Sequence, residues 1–213
     1  RVVHTPFMVD SDFFSPAQVT PQPKRQLCAV GLELRDYPTF IAAVRDLDVE
    51  VIITAASPWS KRADSTQGET LPSNVTVRKF TQYELRQLYA DSCFMVMPLY
   101  PTEFQAGVTA ILEAMAMGKA VICSHTLGQR DVIEEGVTGL YVPPGDVEAL
   151  RARIQFLLER PTLADTMGRA GRQRIDEAMS LAHYTKRLYG HVTTVIGQPA
   201  QPKHAPIRLT AAR

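Results

Sequence analysis

The run "CFMVMPL" at 93–99 carries no polar residue and no alternation of apolar with polar side chains. A strand of that kind is buried on both faces, which happens when helices cover both sides of a parallel sheet. Comparable short runs recur as "LCAVG" (27–31), "VEVIITA" (49–55), "VTVRKF" (75–80), "KAVICS" (119–124) and "GLYVPP" (139–144). Segments with helical patterning lie between them. "YPTFIAAVRDL" (37–47) spaces Phe40, Ile41, Val44 and Leu47 on one face. "TQYELRQLYADS" (81–92) opens with Thr81 as an N-cap and Glu84 three residues on. "GVTAILEAMAM" (107–117) and "QRDVIEEG" (129–136) supply two further helices. After the last strand come helical stretches over 147–158, 161–178 and 180–195, with Pro161 and Ser180 as natural starts. Strand and helix therefore alternate about six times, and the fold class expected is α/β, a doubly wound, mostly parallel sheet.

The remaining segments organise the chain. Residues 1–25 are rich in proline and read as a linker, and 26–178 form the α/β domain. A C-terminal helix is expected over 179–197, and 198–213 is a tail without a core-forming pattern, expected to be mobile. With 23 basic and 22 acidic residues the net charge is +1, so no long-range field attracts nucleic acid. No apolar run reaches membrane-spanning length and no signal peptide is visible. The three cysteines, Cys28, Cys93 and Cys123, lack metal-ligand or redox spacing; Cys28 and Cys123 fall in strands, as buried thiols of a reducing, cytoplasmic compartment would. No metal cluster is expected. The chain starts at Arg1, so an excised piece of a longer protein is expected.

Ligands of open α/β sheets bind beyond the carboxyl ends of the strands, at helix N-termini that suit phosphate. Neither G-x-G-x-x-G nor a P-loop sequence occurs. The candidate loops are 31–36, 55–74, 79–82, 99–108 and 124–129. The richest is 99–108, where the amides of Gly107, Val108 and Thr109 open a helix and can meet a diphosphate. Glu113 lies just over one turn further on. It is placed to accept two hydrogen bonds from vicinal hydroxyls, and the helix dipole favours its charge there. On spacing alone it reads equally well as a solvated charge or as a buried acid paired to a neighbour.

"QAGVTAILEAMAMGKAVICS" resembles the Glu-x7-Glu region of retaining GT-B glycosyltransferases of the family 4 type. "PFMVDSDFF", "AVGLELRDYPTFIAAV", "NVTVRKFTQYELRQLYADSCFMVMPL" and "GQRDVIEEGVTGLYVPPGDVEALRARIQFLLE" resemble further motifs of that family, in its order. The resemblance covers about residues 6–195 and implies the C-terminal, donor-binding Rossmann-like domain. It implies transfer of a sugar, with retention, from a nucleoside diphosphate sugar to an acceptor hydroxyl. The residue roles follow from it. Glu113 would bind the nucleotide ribose. Gln105 stands where the family has its first glutamate and would contact the transferred sugar. Gly107, Val108 and Thr109 would meet phosphate or sugar through their amides. Arg35 would neutralise the diphosphate leaving group, beside Gly31. The arginine expected after Gly31 is Leu32, which removes half of the family's cationic clamp; Lys61, Arg62 or Lys79 are the possible substitutes. The base is expected near 55–57 and 78–80, where "AAS" replaces a glycine-rich turn. His125 and Glu103 are weaker candidates, and Trp59 caps its loop or forms a surface.

No cofactor is implied beyond the nucleotide sugar, with uridine ahead of guanosine as its base. The acceptor would be a glycan, a lipid or a small molecule. It would be held by an N-terminal domain absent from this chain, through which the protein could also associate with a membrane. Two alternatives stand beside this reading, a non-catalytic nucleotide-sugar-binding module and a nucleotide-sugar epimerase of related architecture.

Overall fold

The computed structural model describes residues 2–56 and 64–197. Six parallel strands, β1 (Gln26–Val30), β2 (Glu50–Thr54), β3 (Val75–Val77), β4 (Phe94–Met97), β5 (Val121–Ser124) and β6 (Gly139–Val142), form one sheet in the order β3-β2-β1-β4-β5-β6. The strand order reverses between β1 and β4. That reversal leaves a crevice at their carboxyl ends, because the chain leaves β1 toward one side and β4 toward the other.

Apolar layers flank both faces. One layer gathers Cys28, Met95, Met97, Val121 and Cys123 from the strands under α2 (Gln82–Asp91) and α3 (Val108–Ala116). The other gathers Leu27, Ala29, Val51, Ile53, Val96 and Ile122 under α1 (Tyr37–Val44), α4 (Val147–Leu158) and the start of α5 (Pro161–Arg174). Alternate residues of β1 and β4 thus feed opposite layers, and the absence of polar alternation in "CFMVMPL" has its explanation. Burial pushes the thiols of Cys28 and Cys123 up to about 12.

The helix starts follow the sequence. Thr81 and Glu84 complete a capping box at α2, and the Asp36 side chain accepts from the Thr39 amide at α1. A π-helical turn, Ile175–Met179, joins α5 to α6 (Leu181–Ile196). The helix expected over 129–136 does not form. The backbone over 129–134 runs through bends and irregular structure, with Val132 and Ile133 both buried against the core. Gly136, at φ +76°, turns the chain, and the Thr138 hydroxyl accepts from the Glu134 amide, so β5 reaches β6 through turns alone.

Residues 1–25, expected as a linker, are bound to the domain over 9–14. Val9 exchanges backbone hydrogen bonds with Met179 and Leu181 at 3.0 and 2.9 Å. Phe14 is buried edge-on to Tyr89, and Arg86 stacks on Phe13 while donating to its carbonyl. Arg172 donates to the carbonyls of Ser11, Phe14 and Ala116, tying this strap to the end of α3.

Candidate functional site

The carboxyl ends of β1 and β4, where the strand order reverses, lead into two loops, 31–36 and 98–107. They pair with each other. Arg35 forms an antiparallel bridge to Leu99, the Asp36 amide donates to Pro98 at 3.1 Å and the Tyr100 amide to Leu34 at 3.1 Å. The first loop is bent at Gly31 (φ +103°) and Leu34 (φ +56°), which turns the Arg35 side chain back under its own strand. There its Nε donates to the Val30 carbonyl at 2.9 Å and its Nη1 to the Glu33 carbonyl at 2.5 Å.

The Arg35 guanidinium ends between two glycines. A Cβ on Gly31 would collide with Nη2, and one on Gly107 would stand 3.0 Å from it. Arg35 is 4% exposed, and among the described residues no carboxylate lies within ion-pair distance of it. Burial lowers its pKa, and the neighbouring Tyr37, Cys123, Tyr89 and Glu33 offset only part of the lost hydration. A buried cation with two backbone acceptors and, among the described residues, no carboxylate at ion-pair distance is incompletely compensated. An anionic ligand at the crevice would complete the compensation.

Gly107, in the left-handed region, is the N-cap of α3 and offers no capping side chain. The first amides of α3, from Val108 and Thr109, therefore remain for a ligand. Glu113 is the sixth residue of α3, beyond the first turn where the dipole acts. It is buried, its Oε2 accepts from the Tyr89 hydroxyl at 3.0 Å, and desolvation raises its pKa to about 7. The dipole that was expected to hold its charge is thus outweighed by burial. Glu113 is not a solvated charge but a buried acid paired to a neighbour, the Tyr89 phenol.

Other residues stand apart. Gln105 lines a groove of about 470 Å³ with His4, Phe7, Arg130, Asp131 and Arg174, and neither Arg35 nor Glu113 lines it. Lys79 is exposed at the end of β3, two strands from the crevice. Lys61, Arg62 and Trp59 lie outside the described residues, as do parts of the expected base pocket. Glu103 is exposed, and His125 is exposed with its ring 4.9 Å from that of Tyr141. Leu32 is half-buried beside Gly31 and supplies no second cation.

One residue of this region escaped sequence reasoning. Gln129 is fully buried, and its Nε2 donates to the Ala106 carbonyl just before α3. A polar residue between Gly128 and Arg130 is an ordinary loop feature, and nothing in the sequence announces that its amide reaches another loop.

The sequence signature of the group 1 glycosyl transferases matches residues 29–160, more than half of the chain, and includes both crevice loops. The chain belongs to that family. Among curated relatives it is 39% identical over 85 residues to human alpha-1,3/1,6-mannosyltransferase ALG2, a match covering 40% of this chain and 20% of the relative. It is 30% identical over 82 residues to the capsular polysaccharide biosynthesis glycosyltransferase CapM of Staphylococcus aureus, covering 38% and 22%. Among solved structures, the sucrose-phosphate synthase of Thermosynechococcus elongatus superposes with a TM-score of 0.76 at 25% identity, over 90% of this chain and 52% of that one. Anabaena HepE, in complex with UDP and glucose, gives a TM-score of 0.70 at 16% identity, over 88% and 55%. The fold is that of one half of these GT-B glycosyltransferases, and the chain spans about half the length of those two solved structures.

Proposed function

We propose that this chain is the donor-binding half of a glycosyltransferase and holds a nucleoside diphosphate sugar at the β1–β4 crevice. The observation that carries the reading is the Arg35 guanidinium, buried between Gly31 and Gly107 without an anionic partner among the described residues. Diphosphate is the anion that Arg35 and the open amide end of α3 suit together. UDP is the nucleotide, in keeping with the ligand of HepE. The Glu113 carboxylate receives the ribose hydroxyls in its ionised form, and Gln105 reaches the sugar from the groove on the far side of the 98–107 loop.

The chemistry follows from those placements. As the bond from the anomeric carbon to the diphosphate breaks, negative charge grows on the departing phosphate. Arg35 and the amides of Val108 and Thr109 are already oriented toward it, so stabilisation requires little reorganisation. Glu113 contributes positioning rather than bond chemistry. The sugar passes to an acceptor hydroxyl, with retention, on a domain outside these 213 residues, and no further cofactor takes part. With Leu32 in place of a second cation, turnover by this chain alone is negligible.

Calorimetry of the chain with UDP, UDP-glucose and GDP tests the reading. Binding of UDP and UDP-glucose that weakens by about 1–3 kcal/mol in Glu113→Ala supports it, on the scale of one charged hydrogen-bond partner. A chain that binds none of the three at millimolar concentration overturns it. One observation favours a second reading, a non-catalytic nucleotide-sugar module: Leu32 and Gln105 both replace charged residues of the family pattern. Absence of transfer after an acceptor-binding half is restored, with donor binding intact, would select it. Retention is read from the anomeric configuration of the product.

A further inference from the structure

We infer that Gln129 is a positioning residue that fixes the sugar end of the donor site by locking the loop before α3 to the loop after β5. The inference rests on the donor-site reading above and extends it to a residue with no assigned role. The two loops, 98–107 and 124–129, are joined at three heights. At the root, the Ser124 hydroxyl accepts from the Leu99 amide at 2.9 Å. Midway, the Gly128 amide lies 3.4 Å from the Thr102 carbonyl, and Gly128 sits so close to Phe104 and Gln105 that a Cβ there would collide with the Phe104 carbonyl. At the tip, Gln129 Nε2 donates to the Ala106 carbonyl.

The tip contact is the one that touches the site. Ala106 lies between Gln105, on the sugar side, and Gly107, which caps α3 beside Arg35. A carbonyl can only accept, so the Gln129 amide has one possible orientation, with nitrogen toward Ala106. Its Oε1 is left buried without a partner among the described residues. An apolar side chain of the same size would avoid that orphaned acceptor. The amide is therefore costly as packing, and its function is to hold the Ala106 carbonyl. Arg35, assigned to the diphosphate, is hydrogen-bonded to the Val30 and Glu33 carbonyls, and Glu113, assigned to the ribose, to Tyr89, so the hydrogen bonds that hold both side chains come from outside the Gln129 contact.

The test compares UDP with UDP-glucose on the full chain by calorimetry. Gln129→Met keeps the shape and deletes the donor. It is expected to lower the ratio of UDP-glucose to UDP affinity about fivefold, the effect of one hydrogen bond, with UDP affinity within about twofold of wild type. Gln129→Glu adds a pH profile. Its carboxylate cannot donate to Ala106 when ionised but can when protonated, so the lowered ratio should recover as pH falls. Hydrogen exchange of the unliganded Gln129→Met chain should speed up at Ala106, whose amide donates to the Phe104 carbonyl, while β4, β5 and the body of α3 stay protected. Equal weakening of both ligands, or an unchanged ratio with unchanged exchange at Ala106, overturns the inference while leaving the donor site standing. A wild-type chain that binds neither ligand removes the donor site itself, and the inference with it.

Discussion

The Arg35 guanidinium occupies the space that a side chain on Gly107 would need, its Nη2 3.0 Å from where that Cβ would be. The two residues come from different strands' loops, so the contact joins a cation after β1 to a helix N-cap after β4. Gly107→Ala would force a left-handed residue with a Cβ into a gap also bounded by the Met97 sulfur at 2.8 Å. The backbone strain alone costs about 1–2 kcal/mol. The expected outcome is a lower melting temperature together with loss of UDP binding, because Arg35 must move from the crevice. Thermal unfolding with and without UDP checks both halves.

Arg35→Lys separates charge from geometry. An ammonium retains the positive charge, but it cannot hold the Val30 and Glu33 carbonyls as the forked guanidinium does. We expect UDP affinity to fall by about tenfold or more, since a misplaced cation in a confined site loses most of its charge-assisted bond. Uridine, which lacks phosphate, should show no such penalty. Calorimetry with the two ligands gives the comparison, and an equal loss for both would remove diphosphate from the vicinity of Arg35.

Glu113 makes stability and binding respond to pH in opposite directions. Its folded pKa, about 7, is raised above the ordinary 4.5 by desolvation. The folded state therefore holds the proton more tightly, and the stability this group contributes is fully present below 4.5 and is lost as pH rises through 7. Glu113→Gln, which cannot ionise, should be more stable than wild type at pH 8 by on the order of 3 kcal/mol, a difference that disappears near pH 4. Ribose recognition needs the ionised form, so UDP-glucose affinity should fall as pH is lowered through 7 in wild type and stay level in Glu113→Gln. Denaturant titrations and calorimetry at several pH values read the two trends.

The sequence revealed what repeats and concealed what folds back. Each strand announced itself by an apolar run of the right length, and Thr81 with Glu84 announced the start of α2. Gly31, Gly107 and Arg35 were each singled out in the sequence, but not as one contact: nothing in a linear pattern says that a side chain five residues after Val30 turns back under it. The segment 129–136 was misread because Val132 and Ile133 suit a helix as well as an irregular bend, and only tertiary packing chooses. Gln129 and the Phe13–Phe14 strap were missed for a related reason. Their partners lie on distant loops and helices, and long-range pairing leaves no periodic trace.

Two glycines on consecutive long helices should respond with opposite sign to the same substitution. Gly168, in α5, lies against the turn that ends α3, where an added Cβ would collide with the Gly118 carbonyl and stand 3.2 Å from the Ala120 amide nitrogen. Those are backbone atoms, so a rotamer change cannot relieve the collision and α5 must shift off the sheet. Gly168→Ala should destabilise the domain by about 1–3 kcal/mol, the range for overpacking. Gly190, in the middle of α6, has open space around it and ordinary helical backbone. There alanine reduces the conformational freedom lost on folding, and Gly190→Ala should stabilise the helix by about 0.5–1 kcal/mol. Urea unfolding of the two variants beside wild type measures both shifts. A stabilised Gly168→Ala would mean that α5 does not rest on the α3–β5 turn as described.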